Sequence, residues 1–268
     1  MPEGEQILGK SIAVITGASS GLGVVFARRL ASSHDLLLIA RRKERLDALA
    51  AELTAQHGCL VTILAADLSD EKELAVAAER IAGLENLDLL VNNAGFGMRG
   101  LFWEAGLDVQ EQMHRLHVIA TLRLSHAALR NMVARNSGGI INVASVAAFA
   151  RRSGSVSYGA TKTWMTAFTE GLHLELKSIR SAVKVQALCP GFTHTEFHDT
   201  ALINRTAMAP PSLWLRAEFV VDESLRALPG GKLLVVPGWR YKAIVALVSK
   251  LPTPLRIALE AASRRKPA

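Results

Sequence analysis

Tyr158 and Lys162 lie four residues apart in a stretch, Ser157 to Gly171, whose pattern reads as helix, so both side chains leave the same face. Ser145 stands thirteen residues upstream of Tyr158, at the end of the strand-like apolar run Ile140–Ala144. A phenol, an ammonium and a hydroxyl brought together beside a nucleotide site make a device for moving a proton to or from a carbonyl oxygen. A tyrosine titrates near ~10 in water. A lysine cation beside it favours the phenolate, so Lys162 is expected to pull Tyr158 down toward the range useful to a general acid or base.

The segments that must position these groups alternate in type. Ile12–Thr16, Leu36–Ala40, Leu60–Ala65, Leu87–Asn92, Ile140–Ala144, Val183–Cys189 and Leu233–Val236 read as buried strands. Leu22–Ser32, Lys43–His57, Glu71–Ala82, Val109–Ala134 and Tyr158–Ser178 show helical spacing. Short apolar strands separated by helices imply an α/β protein with a doubly wound parallel sheet and helices on both faces. The chain reads as one domain over 1–268. Two segments depart from the alternation: an irregular stretch at about 192–221, expected to be a lid, and a basic C-terminal extension at about 238–268.

The first strand runs into Thr16-Gly17-Ala18-Ser19-Ser20-Gly21-Leu22-Gly23. Glycines let the backbone turn tightly and approach a phosphate, and the following helix offers its N-terminal amides to the anion. Gly17, Ser19, Ser20, Gly21, Leu22 and Gly23 are therefore candidate cofactor contacts. The second strand ends in Ile39-Ala40-Arg41-Arg42. An acid there would bind an adenosine ribose diol, whereas arginine suits a 2′-phosphate, so NADP(H) is expected over NAD(H). Arg41, nearer the strand end, is the better candidate of the two; the plain alternative is a solvated pair opening a charged helix. Asp67, followed by Leu68, comes after the third strand and suits an adenine amino group, or else caps the next helix.

The chain has 268 residues and a net charge of +7. Of its 31 basic and 24 acidic residues, eight basic and one acidic, Glu260, fall between Gly231 and Ala268, so the rest is neutral and the excess belongs to the C-terminus. No basic-aromatic motif accompanies that charge, which argues against nucleic-acid binding. Cys59 and Cys189 are the only cysteines and sit in no ligand-like cluster, so no metal site or disulfide framework is expected. No secretory signal and no membrane-spanning run is visible, and a cytoplasmic protein is expected.

In this order, TGASSGLG at Thr16–Gly23, Asp67, NNAG at Asn92–Gly95, Ser145, Tyr158-x-x-x-Lys162 and Pro190-Gly191 followed by Thr195, the chain resembles the short-chain dehydrogenase/reductase family in its single-domain form. The resemblance spans nearly the whole length and implies a Rossmann-type sheet of seven strands. It implies that Tyr158 is the general acid in reduction and the base in oxidation. Lys162 would lower the tyrosine pKa and bind the nicotinamide ribose, and Ser145 would polarise the substrate carbonyl. Asn93, Ala94 and Gly95 would pack beside the adenosine ribose. Pro190, Gly191, Thr193 and Thr195 would border the nicotinamide and pyrophosphate. One position departs from the pattern: His117 stands where the family usually places an asparagine that holds a water in the proton relay. An imidazole can donate and accept hydrogen bonds, so His117 is a candidate relay residue and a source of pH dependence near neutrality; the alternative is a helix histidine satisfied locally.

The resemblance thus implies an NADPH-dependent carbonyl reductase or alcohol dehydrogenase, assembled as a homodimer or homotetramer. An NAD-dependent alcohol dehydrogenase and a non-catalytic NADPH sensor are the competing readings. Phe96, Met98, Phe102, Trp103, Phe149, Phe192, Phe197, Leu202 and Trp214 lie near the expected pocket and favour an apolar ketone or secondary alcohol. Arg151 and Arg152 would meet an acidic substrate group or sit in a solvated loop. Two apolar runs after Trp239, flanked by basic residues, would touch an anionic membrane surface, cover the active-site mouth or join subunits.

Overall fold

The computed structural model of the chain describes residues 10–196 and 209–263. Seven parallel strands form the sheet, in the order β3-β2-β1-β4-β5-β6-β9. They are β1 Ile12–Thr16, β2 Asp35–Ala40, β3 Val61–Ala65, β4 Leu87–Asn92, β5 Gly139–Val143, β6 Lys184–Leu188 and β9 Leu234–Val235. All seven lie within one residue of their expected bounds at each end. Inner strands buried on both faces read as continuous apolar runs, because helices cover both sides. One apolar layer lies under α1 (Gly21–Leu30), α2 (Lys43–His57) and the helix Ala217–Ala227; it includes Phe26, Leu46 and Val220. The opposite layer lies under α3 (Glu71–Ala82), α5 (Thr121–Arg135) and α6 (Val156–Ser178), and includes Leu74, Leu124 and Leu176.

Local chemistry explains the helix ends. Gly58 closes α2 in the left-handed conformation, with φ +62°, and Asp70 caps α3 by accepting from the amides of Lys72 and Glu73. The cap of α3 is therefore Asp70 and not Asp67, which instead accepts from the Ser69 amide and hydroxyl at the edge of the cleft. The expected helix Val109–Ala134 is three pieces: α4 Leu107–His114, a π-helical stretch Arg115–Ala120 and α5. Within the expected irregular stretch at 192–221, the described residues include two short paired strands, β7 Thr193–His194 and β8 Leu215–Arg216, and the start of the helix Ala217–Ala227. Residues 197–208 of that stretch lie outside the described residues, as do Arg264, Arg265 and Lys266 of the basic extension. The extension otherwise folds as two helices, Trp239–Lys250 and Thr253–Ser263.

A buried polar chain locks the middle of the sheet to its helices. Asn92 Nδ2 donates to Asn142 Oδ1 at 2.8 Å and to Ser125 Oγ at 3.0 Å. Asn142 Nδ2 donates onward to Thr169 Oγ1 at 2.9 Å. These bonds fix β4 and β5, and with them the strand ends that carry the site, against α5 and α6.

Candidate active site

A cavity of about 1700 Å³ lies along the C-terminal ends of β1, β2, β4, β5 and β6. The chain order reverses between β1 and β4, which is where open α/β sheets form their ligand crevice. The volume exceeds the ~300–1,000 Å³ of an ordinary small-ligand pocket, leaving room for a dinucleotide and a substrate together.

At the nucleotide end the loop after β1 is shaped for close approach. Gly17 and Gly21 have φ of +65° and +57°, and a β-carbon on Gly17 would come within 2.9 Å of the Ala94 Cα. A β-carbon on Gly23 would come within 2.3 Å of the Gly17 carbonyl oxygen, so this glycine lets α1 pack beneath the loop. The α1 N-terminus has no side-chain cap and no acid in its first turn, leaving its amides open to an anion. Thr16 Oγ1 accepts from the amides of Asn93 and Ala94, each at 2.9 Å, and Asn93 Nδ2 donates to Thr16 O at 2.9 Å. A glycine cradle with open helix amides fits the pyrophosphate of a dinucleotide.

Arg41 and Arg42 both line the cavity but face different partners. Arg41 Nη1 is 3.7 Å from Asp67 Oδ2. Burial pushes the Asp67 carboxyl up, yet hydrogen bonds from Ser69 and the Arg41 cation prevail and hold it below its ordinary value. Arg42 reaches across to the glycine loop, donating to Ser19 Oγ at 3.1 and 3.2 Å, and pairs with Glu196 at 3.3 Å. Arg45, which the sequence reading passed over, holds Glu196 at 2.7 Å.

At the reaction end, Ser145 follows β5 directly. Its hydroxyl oxygen accepts from the Ala147 amide at 3.1 Å and shares a hydrogen bond with the Tyr158 phenol. Lys162 Nζ donates to the Val143 carbonyl at 2.8 Å and lies 5.8 Å from the centre of the Tyr158 ring. The three side chains converge on one wall of the cavity. Their electrostatics correct the sequence expectation. Burial pushes the Tyr158 phenol up to about 12, against a smaller lowering by Ser145. Burial likewise pushes Lys162 down to about 7. Desolvation opposes both charged forms and outweighs the attraction expected between them. Tyr158 therefore rests as a neutral phenol, the form that can give a proton away.

His117 lies behind this wall, fully buried and away from the cavity lining. Its Nε2 accepts from the Phe96 amide at 3.2 Å, and its Nδ1 lies 2.9 Å from Thr161 Oγ1. Burial, and next the Lys162 cation, hold its pKa well below the ordinary value, so the expected titration near neutrality does not occur.

The sequence-assigned residues Gly17, Ser19, Ser20, Gly21, Leu22, Arg41, Arg42, Asp67, Leu68, Asn93, Ala94, Gly95, Ser145, Tyr158, Lys162, Pro190, Gly191, Thr193 and Thr195 all line the one cavity; Gly23 and His117 pack behind it. Phe96, Met98, Phe149 and Phe192 line it too, whereas Phe102 and Trp103 are exposed and the Trp214 ring packs against Phe192 at a tilt, with centroids 5.5 Å apart. Phe197 and Leu202 lie outside the described residues. One feature escaped the sequence reading, and one of the uses left open for the C-terminal segment is met. Cys189 is buried beside Ser145 and Lys162, where desolvation pushes its thiol up to about 12 and keeps it neutral. The C-terminal helices supply a full wall, through Tyr241, Ile244, Val248, Arg256 and Ile257. Among the described residues no cluster of acids, histidines and cysteines is suited to a metal ion, and no helix is long and apolar enough to cross a membrane.

The family profile for short chain dehydrogenases matches residues 11–205. A short-chain dehydrogenase from Sphingobium yanoikuyae, solved in complex with NADPH, is 35% identical and superposes with a TM-score of 0.81, over 91% of this chain and 97% of that one. A bulky-bulky ketone specific alcohol dehydrogenase from Comamonas testosteroni is 30% identical, with a TM-score of 0.76 over 91% and 95% of the two chains. The 3-oxoacyl-(acyl-carrier-protein) reductase of Aquifex aeolicus is 32% identical over 187 residues, which are 69% of this chain and 75% of that protein.

Proposed function

The chain belongs to the short-chain dehydrogenase/reductase family of oxidoreductases acting on CH–OH and C=O groups, and we propose that within it the protein is an NADPH-dependent carbonyl reductase for apolar ketones. The observation that carries this reading is the convergence of Ser145, Tyr158 and Lys162 on a cavity whose far end is a glycine cradle flanked by Arg41 and Arg42. The NADPH bound to the Sphingobium relative and the bulky ketones taken by the Comamonas enzyme support it.

When bound, the nicotinamide cofactor supplies the hydride for reduction and accepts it in oxidation. The protein supplies position and the proton. The Ser145 and Tyr158 hydroxyls together hold the carbonyl oxygen as negative charge grows on it. Tyr158, kept neutral by burial, gives its proton to that oxygen. Lys162, anchored on the Val143 carbonyl, holds the ribose next to the reacting ring. Arg41 receives the 2′-phosphate, Arg42 braces the glycine loop through Ser19, and Asp67 meets the adenine amino group. His117 positions the catalytic helix from behind and takes no part in proton relay.

The enzyme works in the cytoplasm as a homodimer or homotetramer. Of the expected lid, the described residues Phe192, Thr193, Thr195 and Leu213 line the cavity beside the substrate. Exposed Trp239 and Leu247, beside Arg240, Lys242 and Lys250, let the C-terminal helices rest on an anionic membrane surface.

The test is an NADPH-oxidation screen over ketones graded by chain length, ring size and charge, run beside Tyr158→Phe. The variant should lose about 10²–10⁴ in turnover through loss of acid catalysis. Near-normal turnover by the variant on the substrate the wild type prefers would overturn the mechanism.

A further inference from the structure

The two ends of the cavity differ in how their cations are matched. At the nucleotide end each arginine faces an acid: Arg41 meets Asp67, and Arg42 and Arg45 share Glu196. At the other end four arginines line the wall, Arg99 from the loop after β4, Arg151 and Arg152 from the segment after Ser145, and Arg256 from the C-terminal helix Thr253–Ser263. Among the described residues none of these four makes an ion pair. Arg256 Nη2 bonds only the Thr253 hydroxyl, at 2.9 Å. Two carboxylates share this wall, Glu104 and Glu260, and Glu260 is engaged by the Ser153 amide at 3.3 Å. Four guanidiniums thus stand against two carboxylates beside apolar walls built from Met98, Phe149, Ile244 and Val248.

We propose that these arginines form a receptor for an anionic group, and that the substrate is an apolar carbonyl compound bearing a carboxylate. The inference rests on the reductase reading above and names its substrate class. Three physical points carry it. A cleft wall carrying an excess of one charge draws in the opposite charge, and Arg99, Arg151 and Arg152 are exposed where they line it. A guanidinium without an acid partner presents a planar fork that matches a carboxylate in bidentate geometry. The charge also reaches the wall itself. Tyr241 is buried at 4% exposure, and burial raises its phenol, while the hydrogen bond from the Phe192 amide and, to a smaller extent, the Arg152 cation act in the opposite direction. Arg152 and Ser145 sit on the same short segment after β5, so the anchor and the group that holds the carbonyl are placed by one piece of chain. Anchoring a remote part of the substrate there would orient the ketone toward Ser145 and Tyr158.

The experiment pairs keto acids, graded in the spacing between ketone and carboxylate, with their methyl esters. It compares the wild type with the Arg151→Ala/Arg152→Ala double variant. The wild type should favour at least one acid over its ester by about tenfold or more in kcat/KM, the worth of one hydrogen bond to a charged group. The double variant should lose that preference through KM, and Arg151→Lys/Arg152→Lys should recover part of it. Equal use of acid and ester by the wild type at every spacing, or equal loss on both in the variant, would overturn the proposal while leaving the reductase reading intact. A binding arm separates the two ideas without turnover. Decanoate, compared with decanol, should raise the wild-type melting temperature in a salt-sensitive manner and should do so less in the double variant. Failure to reduce any ketone together with a carboxylate-specific shift would sink the reductase reading and keep the anion receptor. A shift equal for decanoate and decanol would sink the receptor.

Discussion

His117 Nδ1 stands 2.9 Å from Thr161 Oγ1, and that hydroxyl donates in turn to the Tyr158 carbonyl at 3.0 Å. The other ring nitrogen accepts from the Phe96 amide, which assigns the proton to Nδ1. One neutral imidazole therefore ties the loop after β4 to the turn of α6 that bears the catalytic tyrosine. The same ring explains Gly95, where a β-carbon would come within 2.6 Å of His117 Nε2.

A pH dependence of stability follows. The unfolded chain protonates His117 near the ordinary value of 6.5, whereas the folded chain resists until far lower pH. Below about pH 6.5 the unfolded state binds the extra proton, so stability falls as pH falls, with a slope of up to ~1.4 kcal/mol per pH unit from this group. His117→Asn should remove that part of the slope between about pH 6.5 and 5 while costing about 1–3 kcal/mol at neutral pH for the partners it strands. Denaturant titrations at several pH values check this; unchanged slopes would show that His117 is not held neutral by the fold.

The sheet and its helices were legible because period and punctuation agree locally. Lys43–His57 and Glu71–Ala82 keep their expected bounds, with Gly58 and Asp70 at their ends. The π-helical stretch Arg115–Ala120 was not legible, since one loosened turn hardly disturbs the apolar spacing of Val109–Ala134. Nor could spacing reveal that Tyr158 and Lys162 are desolvated together, because burial belongs to the tertiary structure and the sequence offers only the neighbouring charge. The cavity wall of Tyr241, Ile244 and Val248 was visible only as an apolar run with several uses, and the fold places it against the mouth.

Tyr158, with its phenol pushed up to about 12, makes the two reaction directions respond oppositely to alkali. Carbonyl reduction needs the protonated phenol and should lose nothing to Tyr158 ionisation up to about pH 10. Alcohol oxidation needs the phenolate and should climb steadily over about pH 8–10. Initial rates in both directions across that range decide it. A reduction rate collapsing below about pH 9 in wild type, with folding intact, would mean that the phenol titrates far lower.

Cofactor choice should divide between the two arginines. Arg41 faces only Asp67, at 3.7 Å, and is available for a 2′-phosphate, so Arg41→Ala should raise the Kd for NADPH about tenfold or more while leaving NADH within about twofold. Arg42 braces Ser19 in the glycine loop, so Arg42→Ala should weaken both dinucleotides. Fluorescence titration with each cofactor reads the difference, and equal losses of NADPH and NADH in Arg41→Ala would reject its phosphate role.

Gly191 marks where the C-terminal wall meets the catalytic end. A β-carbon there would come within 2.0–2.3 Å of the Tyr241 ring. That ring has little freedom to yield: its hydroxyl donates to the Leu213 carbonyl at 2.7 Å and accepts from the Phe192 amide at 2.9 Å. Gly191→Ala should therefore cost about 1–3 kcal/mol in unfolding free energy by overpacking. Because the clash is with one side chain, the cost should largely vanish in a Tyr241→Ala background, a coupling that a double-mutant cycle of denaturant melts measures. An equal cost in both backgrounds would place the strain in the Pro190–Gly191 backbone and not in the contact that seats Trp239–Lys250 over the cavity.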